Sequence, residues 1–122
     1  MRNRFIPVLA VALALFAIPA TAALAHTKVV STSPKRGGKA KTSARSVKVT
    51  FNQQIRGGSI RVTGPGGKVA SAGKGGRDPR NVKRLVVSLK SGLKAGRYKA
   101  SWTMKAADGH TQKGSFSFRL RR

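Results

Sequence analysis

The sequence predicts an all-β fold, a small antiparallel Greek-key β-sandwich or barrel of about seven strands. After residue 25, apolar and polar residues alternate with a period of two, which is typical of strands with one buried face. Segments rich in glycine and proline separate the alternating runs. No segment shows the 3.6-residue period of an amphipathic helix. We therefore expect a single all-β domain over residues 26–122.

The first segment has the features of a secretory signal peptide. Arg2 and Arg4 give it a positive start, residues 8–18 are an unbroken apolar run, and Ala23-Leu24-Ala25 supplies the small residues that a signal peptidase reads. The apolar stretch is also nearly long enough for an uncleaved membrane anchor, which needs about 20 residues. Two flanking prolines and the small-residue end favour cleavage after residue 25. The exported domain would then begin with His26.

The alternating runs predict which side chains face the core and where the chain turns. The inward positions are Val47, Val49 and Phe51; Ile60 and Val62; Leu85, Val87 and Leu89; Tyr98, Ala100, Trp102 and Met104; and Phe116, Phe118 and Leu120. Breaks are expected where glycine and proline cluster, at residues 34–38, 57–58, 64–67, 73–79 and 92–96. The aromatic residues of the longest strands are therefore expected inside the protein.

The chain is strongly basic, with 26 Lys and Arg against 2 Asp and Glu and a formal net charge of +24. Removal of residues 1–25 takes away only two of these cations, Arg2 and Arg4, and lowers the net charge to +22. Such charge is typical of a solvated surface, and it also favours weak contact with an anionic envelope surface. Specific recognition of nucleic acid is not expected, because the aromatic residues that could stack on bases are predicted to face inward.

The scarcity of acids and the absence of cysteine exclude several kinds of site. Asp78 and Asp108 are the only carboxylate side chains, too few for paired-carboxylate hydrolysis, an oxygen-lined calcium site or a two-metal phosphoryl site. Without cysteine the chain has no disulfide, no thiolate zinc site and no thiol nucleophile. Specific chemistry must therefore use the two histidines, His26 and His110, the two aspartates, hydroxyl groups or the chain terminus.

Two segments together predict a copper site. After cleavage, His26 would offer both its α-amino group and its imidazole, two nitrogens that can chelate one metal ion. Asp108-Gly109-His110 places a carboxylate and a second imidazole in the turn between the strand of Trp102 and the following strand. Three nitrogens and one oxygen in a near-planar arrangement suit Cu(II). Zinc also binds histidine and carboxylate, but it favours a tetrahedron.

Each of these residues also has a plain structural interpretation. Asp-Gly is a common hairpin-turn dipeptide without any metal. A histidine that follows a cleavage site or lies in a turn is more often an ordinary surface residue than a ligand. Their joint occurrence favours a metal site, because the chain has only two histidines, His26 and His110, and the second lies beside one of only two acids, Asp108.

Several segments resemble the CopC family of exported copper-binding proteins. They are the segment His26-Thr-Lys-Val-Val-Ser-Thr-Ser-Pro34, residues 47–55, the G-x-Y-x-x-x-W pattern from Gly96, A-D-G-H from Ala107 and G-S-F-S-F from Gly114. The resemblance implies a cupredoxin-like Greek-key β-sandwich in the periplasm. It also implies one Cu(II) per chain, held by the amine and ring of His26 with Asp108 and His110. A membrane copper transporter of the CopD type would be the partner.

The sequence departs from the family pattern at two positions. Met104 is the only methionine besides the initiator and reads as a core residue, so a Cu(I) site built from thioethers is not expected. Gln53 stands where relatives often carry an acid near the copper, and its amide adds no charge.

The function predicted from these features is that of a monomeric Cu(II) carrier or sequestering protein in copper homeostasis and resistance, not an enzyme. A histidine-brace copper monooxygenase is the alternative from another class, although Asp108 would fill a position that oxygen activation leaves open. A third interpretation is a basic envelope protein that binds polyanions and retains a vestigial metal site.

Overall fold

The computed structural model describes residues 27–122, which form two four-stranded β-sheets around one core. Among these residues the only helical element is a 3-10 turn at Pro65–Gly67, and no helix is long and apolar enough to cross a membrane. The strands are β1 (Val29–Ser33), β2 (Lys39–Lys41), β3 (Ser46–Phe51), β4 (Ile55–Thr63), β5 (Ser71–Asp78), β6 (Asn81–Leu89), β7 (Gly96–Ala106) and β8 (Thr111–Arg121). The predicted all-β fold is thereby confirmed.

The order of the strands defines a sandwich with one parallel pair. The first sheet has the order β1-β3-β6-β5 and the second has the order β2-β8-β7-β4. All neighbouring strands are antiparallel except β2 and β8, which pair in parallel through residues 39–41 and 119–121. This one parallel pair departs from the antiparallel pattern of the other strands, and β2 is only three residues long, too short for its sequence to indicate its pairing.

The core confirms the alternation read from the sequence. All the predicted inward residues of β3, β4, β6, β7 and β8 are buried, and Met104 is completely so. The two sheets are joined by aromatic packing, with the rings of Phe51 and Trp102 meeting edge to face at 5.2 Å between centroids. Tyr98 and Phe118 stack at 5.8 Å on neighbouring strands. The aromatic side chains thus stabilise the interior and leave the outer faces to polar residues.

Two of the predicted breaks were wrong, because glycines 57–58 lie inside β4 and most of residues 73–79 lie inside β5. In both strands the pairing register shifts, between Ile55 and Gly57 in β4 and between Ala72 and Gly76 in β5. A register shift of this kind is a β-bulge, which tolerates glycine in a strand. At Gly58, where φ is 154°, a Cβ atom would lie 2.2 Å from the carbonyl oxygen of Thr103. Glycine there permits close contact between strands and does not end β4.

Candidate metal centre

Asp108 and His110 lie in the hairpin turn that joins β7 to β8, as the sequence predicts. The Gly109 N–H donates to the carbonyl oxygen of Ala106 at 2.9 Å, and the Ala106 N–H donates to that of His110 at 2.8 Å. Gly109 has a φ of 91°, which is unfavourable for residues with a side chain. A turn followed by a glycine with positive φ is a common three-residue hairpin connection. The backbone therefore fixes the positions of Asp108 and His110 at one end of the sandwich.

The side chains of these two residues form a hydrogen-bonded pair. Nδ1 of His110 lies 2.7 Å from Oδ2 of Asp108, and the His110 backbone N–H donates to Oδ1 at 3.0 Å. The hydrogen bond from the ring and then that from the backbone lower the pKa of the Asp108 carboxyl, which favours its charged form. Because a neutral ring that donates from Nδ1 has its lone pair on Nε2, Nε2 is the nitrogen that can bind a metal.

Both side chains are accessible to a ligand from solvent. The His110 side chain is 74% exposed and that of Asp108 is 39% exposed. The pair matches an arrangement common at metal sites, in which a carboxylate orients the ring of a histidine ligand through its other nitrogen. The turn can therefore supply one well-oriented imidazole nitrogen together with a negative charge.

The beginning of the domain is held at the same end of the sandwich as this turn. Lys28 and Asn52 exchange two hydrogen bonds, from Lys28 N–H to Asn52 Oδ1 at 2.8 Å and from Asn52 N–H to the Lys28 carbonyl oxygen at 2.9 Å. Asn52 belongs to the short connection from β3 to β4, and Ile55 at the start of β4 pairs with Ala106 at the end of β7. Thr27, the first residue described, is buried. The chain start and the turn of Asp108 are thus both attached to the β3–β4 connection.

The basic residues around this end have distinct positions. Arg56 is the extra residue of the bulge in β4, and its Nη1 lies 3.7 Å from where a Cβ atom at Gly109 would be. The Arg77 side chain donates to the carbonyl oxygen of Ile55 at 3.2 Å. Bulges often change the direction of a side chain next to a functional site. Here the bulge brings a guanidinium group beside the turn that carries Asp108.

The other carboxylate has a structural role. Asp78 Oδ1 accepts the backbone N–H of Arg80 at 2.9 Å, and Oδ2 lies 3.8 Å from the Arg84 guanidinium. It closes the turn between β5 and β6. Asp78 is therefore not brought to the pair formed by Asp108 and His110.

The structure brings two of the three predicted ligands together. His26 and the predicted signal segment, residues 1–25, lie outside the described residues. Within residues 27–122, no group of three or more His, Cys, Asp or Glu side chains comes close enough to hold a metal ion. Sequence reasoning missed Asn52 and Arg56 at this end of the sandwich. An asparagine in a turn is too common a feature to reveal a contact with Lys28, 24 residues away.

The CopC domain family matches residues 29–121 of the chain. The chain belongs to the CopC family. Copper resistance protein C of Pseudomonas syringae pv. tomato is 31% identical over 109 residues, which cover 81% of this CopC chain and 83% of the relative. Protein YobA of Escherichia coli is 24% identical over 99 residues, which cover 80% of each chain. The resemblance found in the sequence motifs is confirmed.

Solved structures of CopC proteins share the same sandwich. The crystal structure of CopC from Methylosinus trichosporium has a TM-score of 0.65 and 22% identity, over 78% of this chain and 93% of that one. The crystal structure of PcoC, a methionine-rich copper resistance protein from Escherichia coli, has a TM-score of 0.64 and 18% identity, over 79% and 99% of the two chains. At these identities the similarity establishes the CopC fold.

Proposed function

We propose that this CopC protein binds one Cu(II) ion per chain and carries or sequesters copper in the periplasm, in copper homeostasis or resistance. The observation that carries the proposal is the pair of hydrogen bonds between Lys28 and Asn52, which holds the start of the domain at the end of the sandwich occupied by Asp108 and His110. His26 is separated from Lys28 by a single residue, Thr27. Donor atoms on His26 would therefore need only a short segment of chain to reach the turn of Asp108 and His110.

The donors of this proposed site are complementary. In the described geometry the turn offers one free ligand atom, Nε2 of His110, because Asp108 is hydrogen-bonded to Nδ1 of that ring and would have to leave this bond to give an oxygen to the same copper ion. The amine and ring of His26 would add two nitrogens. The resulting set suits Cu(II), which has the highest affinity of the divalent series for nitrogen and oxygen donors. Asp108 orients the His110 ring through Nδ1 and brings a negative charge to a chain with a formal net charge of +24. The name of the Pseudomonas syringae relative, a copper resistance protein, supports the same cargo.

The proposal treats copper as cargo and not as a catalytic centre. The name of the Pseudomonas syringae relative, a copper resistance protein, supports this choice. Asp108 is hydrogen-bonded to Nδ1 of His110, on the side of the ring away from Nε2, so its carboxylate would enter the copper plane only by leaving that hydrogen bond. Cu(II) is also favoured over Cu(I), because Met104, the only methionine within the described range, is completely buried. A thioether site for Cu(I) would need exposed methionines.

Export completes the proposed function. Cleavage after Ala25 would free the amine of His26 and release a monomeric domain into the periplasm. A membrane transporter of the CopD type is the proposed partner for copper delivery.

Native mass spectrometry of the protein recovered from the periplasmic fraction tests the cleavage point and the stoichiometry together. We expect a chain that begins at His26 and takes up one copper ion when given one or two equivalents of Cu(II). A chain that begins elsewhere, or a mass that shows no bound copper at one equivalent, would overturn the proposal.

A further inference from the structure

The outer face of the second sheet carries an array of exposed basic side chains. We call it the cationic face and define it by two residues on β2, one on β4, three on β7 and three on β8: Lys39, Lys41, Arg61, Arg97, Lys99, Lys105, Lys113, Arg119 and Arg121. Except for Lys113, each of these residues lies next to at least one position that is buried or packed against the core. Serine and threonine occupy most of the remaining outward positions of β7 and β8, and neither aspartate lies in these strands.

Like charges stand directly opposite one another on this face. Arg119 of β8 is in register with Arg97 of β7 on one side and with Lys39 of β2 on the other, and Lys41 is in register with Arg121. Neighbouring strands are about 4.8 Å apart, and like charges directly opposite destabilise a sheet. A sequence selected only for stability would place opposite charges at such positions. The row of Lys39, Arg119 and Arg97 is therefore unfavourable in the bare sheet, and an anion bound against it would relieve the repulsion.

The first sheet does not share this property. Its strands carry five basic residues against nine in the cationic face: Lys48, Lys74, Arg77, Lys83 and Arg84. Arg84 lies 3.8 Å from Asp78 and donates to the Thr50 hydroxyl at 3.0 Å. Lys48, Arg84 and Arg77 are in register with Val86, Thr50 and Leu85, so none of these three stands opposite another cation. The strands of the second sheet thus carry more positive charge, and like-charge pairs are found among them.

A small cavity at the row of like charges has room for an anionic group. It has a volume of about 130 Å³ and is lined by Gly37, Arg97, Ser117, Phe118 and Arg119. Two arginines and a serine are among the lining residues, and arginine binds phosphate through paired hydrogen bonds. The chemistry of the cavity therefore favours a phosphate group.

We propose that the cationic face docks this protein onto a membrane surface rich in anionic phospholipid, with Arg97 and Arg119 binding headgroup phosphates. The cations form a two-dimensional array, extending across all four strands and along most of β7 and β8, and a planar array of phosphates is complementary to it. A single nucleic-acid strand would be expected to need exposed aromatic side chains for stacking, and the aromatic residues of this sheet are buried. The large hydrophobic residues exposed within residues 27–122, Val30 and Val82, lie on the first sheet, so docking would be peripheral, without insertion.

Docking at the like-charge row would keep the bound headgroups away from the turn of Asp108 and His110, although Lys105 and Lys113 of the cationic face lie nearer to that turn. Arg97 and Ala106 are nine residues apart along β7, which corresponds to roughly 30 Å of strand. The like-charge row and the hairpin are therefore at opposite ends of the sheet. The docking proposal does not depend on copper, and its test uses the protein without metal.

Binding to phospholipid vesicles tests the proposal with a matched pair of variants. The chain beginning at His26 is suitable, because residues 27–122 contain both sheets and the core. Each basic residue near an anionic surface contributes about fivefold to binding. The Arg97→Thr and Arg119→Thr double variant should therefore bind vesicles of phosphatidylglycerol and phosphatidylcholine about 25-fold more weakly than the parent. The Lys48→Thr and Lys83→Thr double variant, on the first sheet, removes the same charge and should lose less than about threefold.

Two further measurements distinguish docking from folding and from general charge attraction. The melting temperature of the Arg97→Thr and Arg119→Thr variant should equal or exceed that of the parent, because a like-charge pair is removed. Binding should disappear on vesicles of phosphatidylcholine alone and weaken steeply with salt. Equal losses from the two double variants would overturn the proposal. Binding to a soluble acidic polysaccharide, with none to the anionic vesicles, would also overturn it.

Discussion

Replacing Asn52 with alanine should weaken copper binding without touching any proposed ligand. The Asn52 side chain accepts the N–H of Lys28 at 2.8 Å, the contact that fixes the chain two residues after His26. A hydrogen bond of this kind contributes about 0.5–1.5 kcal/mol net. If that energy serves to position the N-terminal donors, its loss raises the Cu(II) dissociation constant by roughly 2- to 12-fold. The remaining bond, from the Asn52 N–H to the Lys28 carbonyl, keeps the segment near its place.

The matched control for this substitution is Asn81→Ala. The Asn81 side chain accepts the Lys83 N–H at 2.9 Å in an exposed turn, so the substitution removes a similar bond from the first sheet. Copper affinity, measured by competition with a chromophoric chelator, should fall for Asn52→Ala and stay unchanged for Asn81→Ala. Parent-like affinity in Asn52→Ala, or equal weakening in the two variants, would refute the idea that the contact between Lys28 and Asn52 assembles the site.

Three other changes probe the turn, the donors and the fold. His110→Ala should weaken Cu(II) binding severely, and Asp108→Asn should weaken it by about 10- to 100-fold because the amide keeps an oxygen but loses the charge; parent-like titrations of both variants would show that the segment is only a turn. Between pH 7 and 5 the affinity should fall steeply, more than about tenfold per pH unit in the lower part, since an imidazole ordinarily titrates near 6.5 and an α-amine at about 7.7–8.0. A Cu(II) affinity that stays flat from pH 7 to 5, in a titration followed by d-d absorption, would exclude nitrogen ligands. The lowered pKa of Asp108 keeps its carboxylate charged over this window, and its contribution to stability is lost only at lower pH, as the pH falls through that pKa. Gly58→Ala should destabilise the fold by about 3 kcal/mol, or roughly 12–24 °C in melting temperature, because its Cβ atom would meet the Thr103 carbonyl oxygen at 2.2 Å. A Cβ atom at Gly57 has open space, so the Gly57→Ala variant should melt near the parent.

The alternation of residues predicted the core of the sandwich because burial of one face is a local property of each strand. In a helix the buried residues would recur at every third or fourth position. Residues such as Trp102 and Phe118 instead follow the two-residue period of a strand. The turn of Asp108 was predictable for the same reason, since Asp-Gly between two alternating runs is a local signal.

Features that depend on contacts between distant segments could not be predicted. The glycines of β4 and β5 looked like breaks because a bulge and a close approach of strands are visible only once the partner strand is known. The parallel pairing of β2 is set by where the chain crosses between sheets. The register that places Arg97 opposite Arg119 likewise depends on the hairpin, and charge counts alone did not reveal it.

The role of the free amine of His26 is tested most directly by the Cu(II) affinity and EPR spectrum of two chains. One begins at His26 with a free α-amine and the other carries an acetyl group on that amine. The amine and ring of a first residue can chelate one ion together, and acetylation converts the amine to an amide nitrogen without supplying a new amine. We expect the acetylated chain to bind Cu(II) more weakly, with a changed copper EPR spectrum. Equal affinities and identical spectra would contradict an N-terminal copper chelate in this protein.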